Sequence, residues 1–234
     1  MSRLTDLPQV WGHRGASAAK RENTIDAFRE AVRMGADGVE LDVRRSRDHA
    51  MVVHHDEALR DGRPIRELTV ADLPREVPLL HAALDACDGM LVNIEIKNVE
   101  VDGDHDPEEY LAGAVVSLVN ERTLHPQVLV SSFSLATIDR VRDLDGDIRT
   151  GYLASGRWDQ MKALGRAIEG GHDAFHPFDL VVSAELVAAA HDAGIDVNVW
   201  TVDDPDRIRW LAELGVDAII TNVPDIAIEA LKRG

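Results

Sequence analysis

Short apolar runs alternate with longer stretches of helical period along the whole chain. Residues 9–12 (QVWG), 38–43 (GVELDV), 91–97 (LVNIEIK), 128–133 (VLVSSF), 148–154 (IRTGYLA), 173–177 (DAFHP), 195–200 (IDVNVW) and 217–222 (DAIITN) read as strands. Between and after them, residues 25–35, 77–87, 108–121, 135–144, 158–168, 183–194, 204–215 and 224–234 read as helices. Eight strand–helix units are the number that closes an α/β barrel of the (β/α)8 or TIM type; an open doubly wound sheet is the alternative. Helix punctuation agrees with the pattern. Thr24 (after Asn23), Ser134 and Ser183 stand where N-caps belong, and Gly35, Gly194 and Gly215 follow helix ends.

A length of 234 residues suits one large core, so the expectation is a single barrel domain over residues 1–234 with a short cap segment. No internal repeat beyond the βα alternation is evident. The longest irregular stretches are 56–77 and 98–107. A formal charge of −17 predicts a surface that repels nucleic acid and anionic membranes, so a phosphate-bearing ligand must be captured locally. The lone Cys87 lies in an apolar run and reads as a buried structural thiol in a reducing compartment. Neither a secretory pattern nor a long apolar span is present, which makes a cytoplasmic location, without stable membrane association, the expectation. Oligomeric state is not legible.

In such barrels the chemistry sits at the C-terminal strand ends, and polar residues concentrate there. His13 and Arg14 end the first strand, Glu40 and Asp42 interrupt the second, Glu95 and Lys97 end the third, and Asn198 lies in the seventh. Glu40 and Asp42 are two residues apart and so share one strand face, opposite Val39, Leu41 and Val43. If that face looks into a barrel, a bound divalent cation is the simplest remedy for their repulsion; on an edge strand they would be two solvated acids. In the same way Asn93, Glu95 and Lys97 share a face, and Glu95 with Lys97 could be a simple ion pair. Three carboxylates without a thiolate favour a hard cation, Mg2+ or Ca2+, over zinc.

His13-Arg14-Gly15 offers a proton carrier and a phosphate clamp before a tight turn, or merely a turn with a surface histidine. Of His54 and His55, strand alternation lets only one face a given site. The acidic stretch 99–109 lacks the glycine and glutamate positions of an EF-hand and reads as a solvated, flexible excursion. Trp200 at a strand end could cover a ligand or fill the core; His176 and Ser132, also at strand ends, are weak candidates alone.

Taken together, HRG with the following ENT, then ELD, HHD, IEIK, SSF, VWTVDD and ITNVPD resemble the glycerophosphodiester phosphodiesterase family in order and spacing, from about Val10 to Pro224. The resemblance implies hydrolysis of a small-molecule glycerophosphodiester to an alcohol and sn-glycerol 3-phosphate with one divalent cation, Mg2+ or Ca2+. It implies His13 and His55 as the acid–base pair and Glu40, Asp42 and Glu95 as metal ligands. Arg14 and Lys97 are then phosphate-contacting cations, Trp200 a pocket-wall aromatic, and Glu22 and Asn23 supporting residues of the ENT element. The choice of His55 over His54 comes from the resemblance alone.

After His55-Asp56 the chain departs from the RTT-like stretch and longer excursion usual in the family, so the expectation is a small cap and an open question of alcohol specificity. Two other readings compete. One is a phospholipase D-like enzyme acting on lysophospholipids, which would want an apolar rim; the other is a catalytically silent barrel that binds a phosphometabolite.

Overall fold

The structure, a computed structural model, describes residues 7–232. Its strands, in chain order, are β1 (Gln9–His13), β2 (Gly38–Arg45), β3 (Met51–Val53), β4 (Leu91–Ile96), β5 (Val128–Ser132), β6 (Arg149–Ala154), β7 (Ala174–Pro177), β8 (Asp196–Val199) and β9 (Ala218–Thr221). The helices are α1 (Ile25–Met34), α2 (Leu80–Ala86), α3 (Tyr110–Arg122), α4 (Leu135–Leu144), α5 (Gln160–Glu169), α6 (Ala184–Asp192), α7 (Pro205–Leu214) and α8 (Pro224–Lys232). All strands but β3 run parallel, and β1 pairs with both β2 and β9, so the sheet closes into an eight-stranded barrel wrapped by helices. Closure rules out the open doubly wound alternative.

Apolar residues occupy two separate layers. Val39, Leu41, Val43, Val92, Ile94 and Ile96 face outward and pack against Phe28, Leu80, Val115 and Val119 of the surrounding helices. A similar outer layer joins β6–β9 to α5–α8. Inside the barrel, Trp11, Leu129, Ala174, Ala218 and Ile220 form a small plug. Because side chains alternate along a strand, the residues between the outward-facing ones enter the interior, and this parity carries Glu40, Asp42, Asn93 and Glu95 into it.

The capping residues behave as their chemistry requires. Thr24, Ser134 and Ser183 accept from the backbone N–H groups of Ala27, Thr137 and Leu186, and Gly35 and Gly215 end α1 and α7 in the left-handed conformation. After α6 the cap itself is Ala193, with Gly194 one residue later at φ 79°.

The irregular stretches differ from their sequence-based reading. Strand β3, absent from the periodicity because it is three residues long, folds back antiparallel on β2 with Val53 opposite Val43. This return delivers the HHD segment to the barrel rim, where the N–H of His54 donates to the Asp42 carbonyl. Residues 56–77 contain two 3-10 turns, Ile65–Glu67 and Val70–Asp72, and Leu59, Ile65, Leu68 and Val77 pack with Val52 into a satellite core. The acidic stretch 99–109 is not the solvated, flexible excursion its composition suggested: its Asp102, Asp104 and Asp106 are tied down by ion pairs. Arg44, buried and on the same face of β2 as Asp42, donates from Nε to the His55 carbonyl at 2.7 Å and from Nη1 to both oxygens of Asp104 at 2.7 Å. Asp102 pairs with Arg44 and Asp106 with Arg45, and Gly103 donates to Glu57 and accepts from Arg66. The acidic residues are thus counter-ions for basic residues far away in sequence. Among the described residues, no helix is long and apolar enough to cross a membrane.

Candidate active site

Strand register brings the interior polar residues to one sector of the barrel mouth. His13 lies opposite Glu40, Glu40 opposite Asn93, Asp42 opposite Glu95, and Glu95 opposite Ser131. Glu40, Asp42 and Glu95 are all buried, and each offers a carboxylate oxygen within 4.8 Å of the others. Two cations of the chain lean on this triad: Lys97 Nζ is 2.6 Å from Glu95 Oε1 and 3.1 Å from Asp42 Oδ1, and Arg14 Nε is 3.2 Å from Asp42 Oδ2.

The loop after β1 places Arg14. Arg14, Gly15 and Asn23 all have positive φ, and a Cβ on Gly15 would stand 2.6 Å from the backbone carbon of Ala27, so only glycine lets the turn rest on α1. From this turn the Arg14 N–H donates to Glu40 Oε2 at 3.0 Å, and its Nη1 donates to both oxygens of Glu22 at 3.1 Å. Asn23, buried, donates from Nδ2 to Asp42 Oδ2 at 2.7 Å. Glu22 and Asn23 therefore hold Arg14 and Asp42 in place.

Electrostatics separate the three acids. Burial, reinforced by Asp42 and Glu95, pushes Glu40 well above the usual carboxylate range. Burial also raises Glu95, with Lys97 opposing it. Asp42 goes the other way: burial would raise it, but Lys97 and Arg14 outweigh that and hold it ionised. Lys97 stays firmly protonated, since Glu95 and Asp42 overcome the cost of its burial. Burial and then Arg14 lower His13 below an ordinary histidine, with Asn222 and Asp42 opposing them.

His55 is the histidine near the carboxylates, close enough for its charge to lower both Asp42 and Glu95. Its Nδ1 lies 2.7 Å from Asp56 Oδ1, whereas His54 Nδ1 bonds the Asp56 backbone carbonyl at 2.9 Å. Trp200 lines the opposite sector. Its Nε1 donates to the His176 carbonyl at 2.8 Å, and its ring meets Phe133 and Phe178 edge-on, each at a centroid distance of 5.5 Å. Phe133 in turn lies 5.9 Å from Lys97 Nζ and packs against Trp158.

Three strand-end polar residues stay apart from the carboxylates. Asn198 donates to His176 Nε2 at 3.1 Å inside the barrel, and burial lowers His176 to about 3, keeping it neutral. Ser132 Oγ donates to the Ile96 carbonyl at 2.8 Å and ties β5 to β4. Cys87 is buried and its thiol is pushed up to about 12, which fits an inert core position. Sequence reasoning overlooked four polar residues around the site: Arg44, which grips the His55 carbonyl, Asn222, which meets His13, and Ser17 and Asp203, which bond Asn222. Asp203 and Asn222 fall inside the VWTVDD and ITNVPD segments, but only the closed barrel brings them together.

The model of the glycerophosphoryl diester phosphodiesterase family matches residues 13–226. A glycerophosphodiester phosphodiesterase of Caldanaerobacter subterraneus is 28% identical over 96% of this chain and 98% of its own length. Among solved structures, the glycerophosphodiester phosphodiesterase of Thermotoga maritima is 29% identical with a TM-score of 0.81, covering 95% of this chain and 97% of that one. A phosphodiesterase of Oleispira antarctica, solved in complex with the product sn-glycerol-3-phosphate, is 26% identical with a TM-score of 0.85 and covers 97% of both chains. With the match running through nearly all the described barrel, including the carboxylate cluster and both histidines at its rim, the chain belongs to the glycerophosphoryl diester phosphodiesterase family.

Proposed function

We propose that this protein hydrolyses glycerophosphodiesters to an alcohol and sn-glycerol 3-phosphate, with one divalent cation held by Glu40, Asp42 and Glu95 and with His13 and His55 moving the protons. The observation that carries this reading is the buried triad of carboxylates within 4.8 Å of one another, flanked by Arg14 and Lys97. The triad fits a hard cation: its donors are all carboxylate oxygens, and Glu40 Oε1 is buried and accepts no hydrogen bond among the described residues. When bound, Mg2+ or Ca2+ supplies Lewis-acid stabilisation of the charge that builds on the phosphoryl oxygens.

The residues of the chain do the rest. Arg14 and Lys97 hold fixed positive charge at the mouth of an otherwise acidic protein, stabilising an anionic transition state without reorganisation. His13, kept largely neutral by burial and by Arg14, suits proton abstraction, and His55, half-buried at the rim, is placed for exchange with the leaving oxygen. Trp200 with Phe133 and Phe178 gives the substrate an apolar wall opposite the carboxylates.

That wall also favours a second reading, action on lysophospholipids. Trp158, 41% exposed, extends it beyond Phe133, and Leu180, within the 3-10 turn after Phe178, is 76% exposed. A coupled assay for glycerol 3-phosphate on a panel of soluble glycerophosphodiesters, run beside lysophospholipid vesicles, separates the two. The expected result is glycerol 3-phosphate release from the soluble diesters. Choline release from vesicles with no turnover of soluble diesters would favour the second reading. Tight glycerol 3-phosphate binding without turnover of either would indicate a silent barrel.

A further inference from the structure

His13 is held by a chain of polar groups that starts outside the carboxylate cluster. Asp203 lies between β8 and α7, and Asn222 lies between β9 and α8, both at the barrel mouth. The Asp203 carboxylate receives three hydrogen bonds: Thr221 Oγ1 donates to Oδ1 at 3.0 Å, the Asn222 N–H to Oδ1 at 2.8 Å, and Asn222 Nδ2 to Oδ2 at 2.7 Å. An ionised carboxylate only accepts, so the Asn222 side chain must turn its NH2 toward Asp203 and its Oδ1 away. On the far side, Ser17 Oγ donates to that Oδ1 at 2.7 Å, and His13 Nδ1 lies 2.8 Å from it. An amide oxygen also only accepts, so the ring proton facing it belongs on Nδ1.

We propose that Asp203 is a positioning residue that, through the amide of Asn222, holds neutral His13 as the Nδ1–H tautomer and leaves Nε2 as its proton-accepting atom. This rests on the reading of His13 as a proton-transfer residue. The neutral amide passes on the orienting power of a carboxylate without placing a formal negative charge against the ring. A proton taken up at Nε2 gives an imidazolium that donates from both nitrogens. Its release from Nε2 restores the starting tautomer, so a catalytic cycle closes with the Nδ1 proton staying on His13, donated throughout to Asn222 Oδ1.

Two-bond 1H–15N correlation spectra of the 15N-histidine-labelled full chain, with the His13 signals identified by their loss in His13→Gln, report the tautomer directly and do not depend on turnover. The expected wild-type pattern is a protonated Nδ1 and a bare Nε2. Asp203→Asn is expected to mix the tautomers and to lower kcat on the order of 10–100-fold with KM little changed, the range seen when outer partners of a histidine are removed. Combining Asp203→Asn with Asn222→Asp reverses the donor and acceptor but preserves every bond. The double variant should recover the wild-type tautomer and most of kcat. A wild-type His13 protonated on Nε2, an Asp203→Asn variant with unchanged tautomer and kcat, or a double variant no better than the single one would each overturn the proposal. Because the wild-type spectrum alone can contradict it, poor folding of a variant does not shield it.

Discussion

Replacing either His13 or His55 with alanine is expected to lower kcat for a glycerophosphodiester by roughly 10²–10⁴-fold at saturating metal, the usual contribution of a positioned proton carrier. Both substitutions leave the barrel supported. His55 is linked through its ring to the exposed Asp56, and removing the His13 ring leaves Asn222 still held by Asp203 and Ser17. The effect should therefore appear in turnover and not in folding, with thermal midpoints near wild type. Steady-state kinetics with glycerol 3-phosphate detection would show it, and near-normal turnover in either variant would remove that histidine from the mechanism.

Glu40→Gln is expected to weaken binding of Mg2+ or Ca2+ by at least roughly 10–100-fold, since a direct ligand should matter no less than the outer partners that reach that range. Glu40 is the right member of the triad to change. Asp42 and Glu95 are paired with buried Lys97, and removing either strands part of that charge, at a cost of about 3–5 kcal/mol that would confuse folding with metal binding. Glutamine at position 40 keeps an oxygen for the Arg14 N–H, which now bonds Glu40 Oε2 at 3.0 Å. Its apo protein should be about as stable as wild type. The readout is the thermal shift on adding metal, which ligand binding to the native state produces in wild type and which the variant should largely lose. An unchanged metal titration would take Glu40 out of the ligand set.

Much of this arrangement was legible because strand parity is rigid. The two-residue spacing in Glu40–Asp42 and in Glu95–Lys97 commits each pair to one face, and closure of eight parallel strands decides that the face is the interior. The features that escaped depend on contacts between distant segments. Three residues of β3 carry too little periodicity to register as a strand, yet they set which histidine approaches Asp42 and Glu95. Acidic residues 102–106 look solvated in sequence, and only the fold shows Arg44 and Arg45 as their partners. Asp203 and Asn222 are 19 residues apart, and they form one network with His13 because β9 lies between β8 and β1 in the closed sheet. The aromatic wall had one visible member, Trp200, because Phe133, Phe178 and Trp158 come from three other connections.

In the proposed reaction, a divalent cation would join the three carboxylates, Arg14 and Lys97 into a site for phosphate on a protein of formal charge −17. The most direct measurement is glycerol 3-phosphate release from glycerophosphocholine by chelator-stripped protein, before and after addition of Mg2+ or Ca2+. Turnover should be abolished by stripping and restored by one of the two ions, in proportion to occupancy of a single site per chain. Full turnover in the stripped protein, or none with either ion restored, would contradict metal-dependent glycerophosphodiester hydrolysis at Glu40, Asp42 and Glu95.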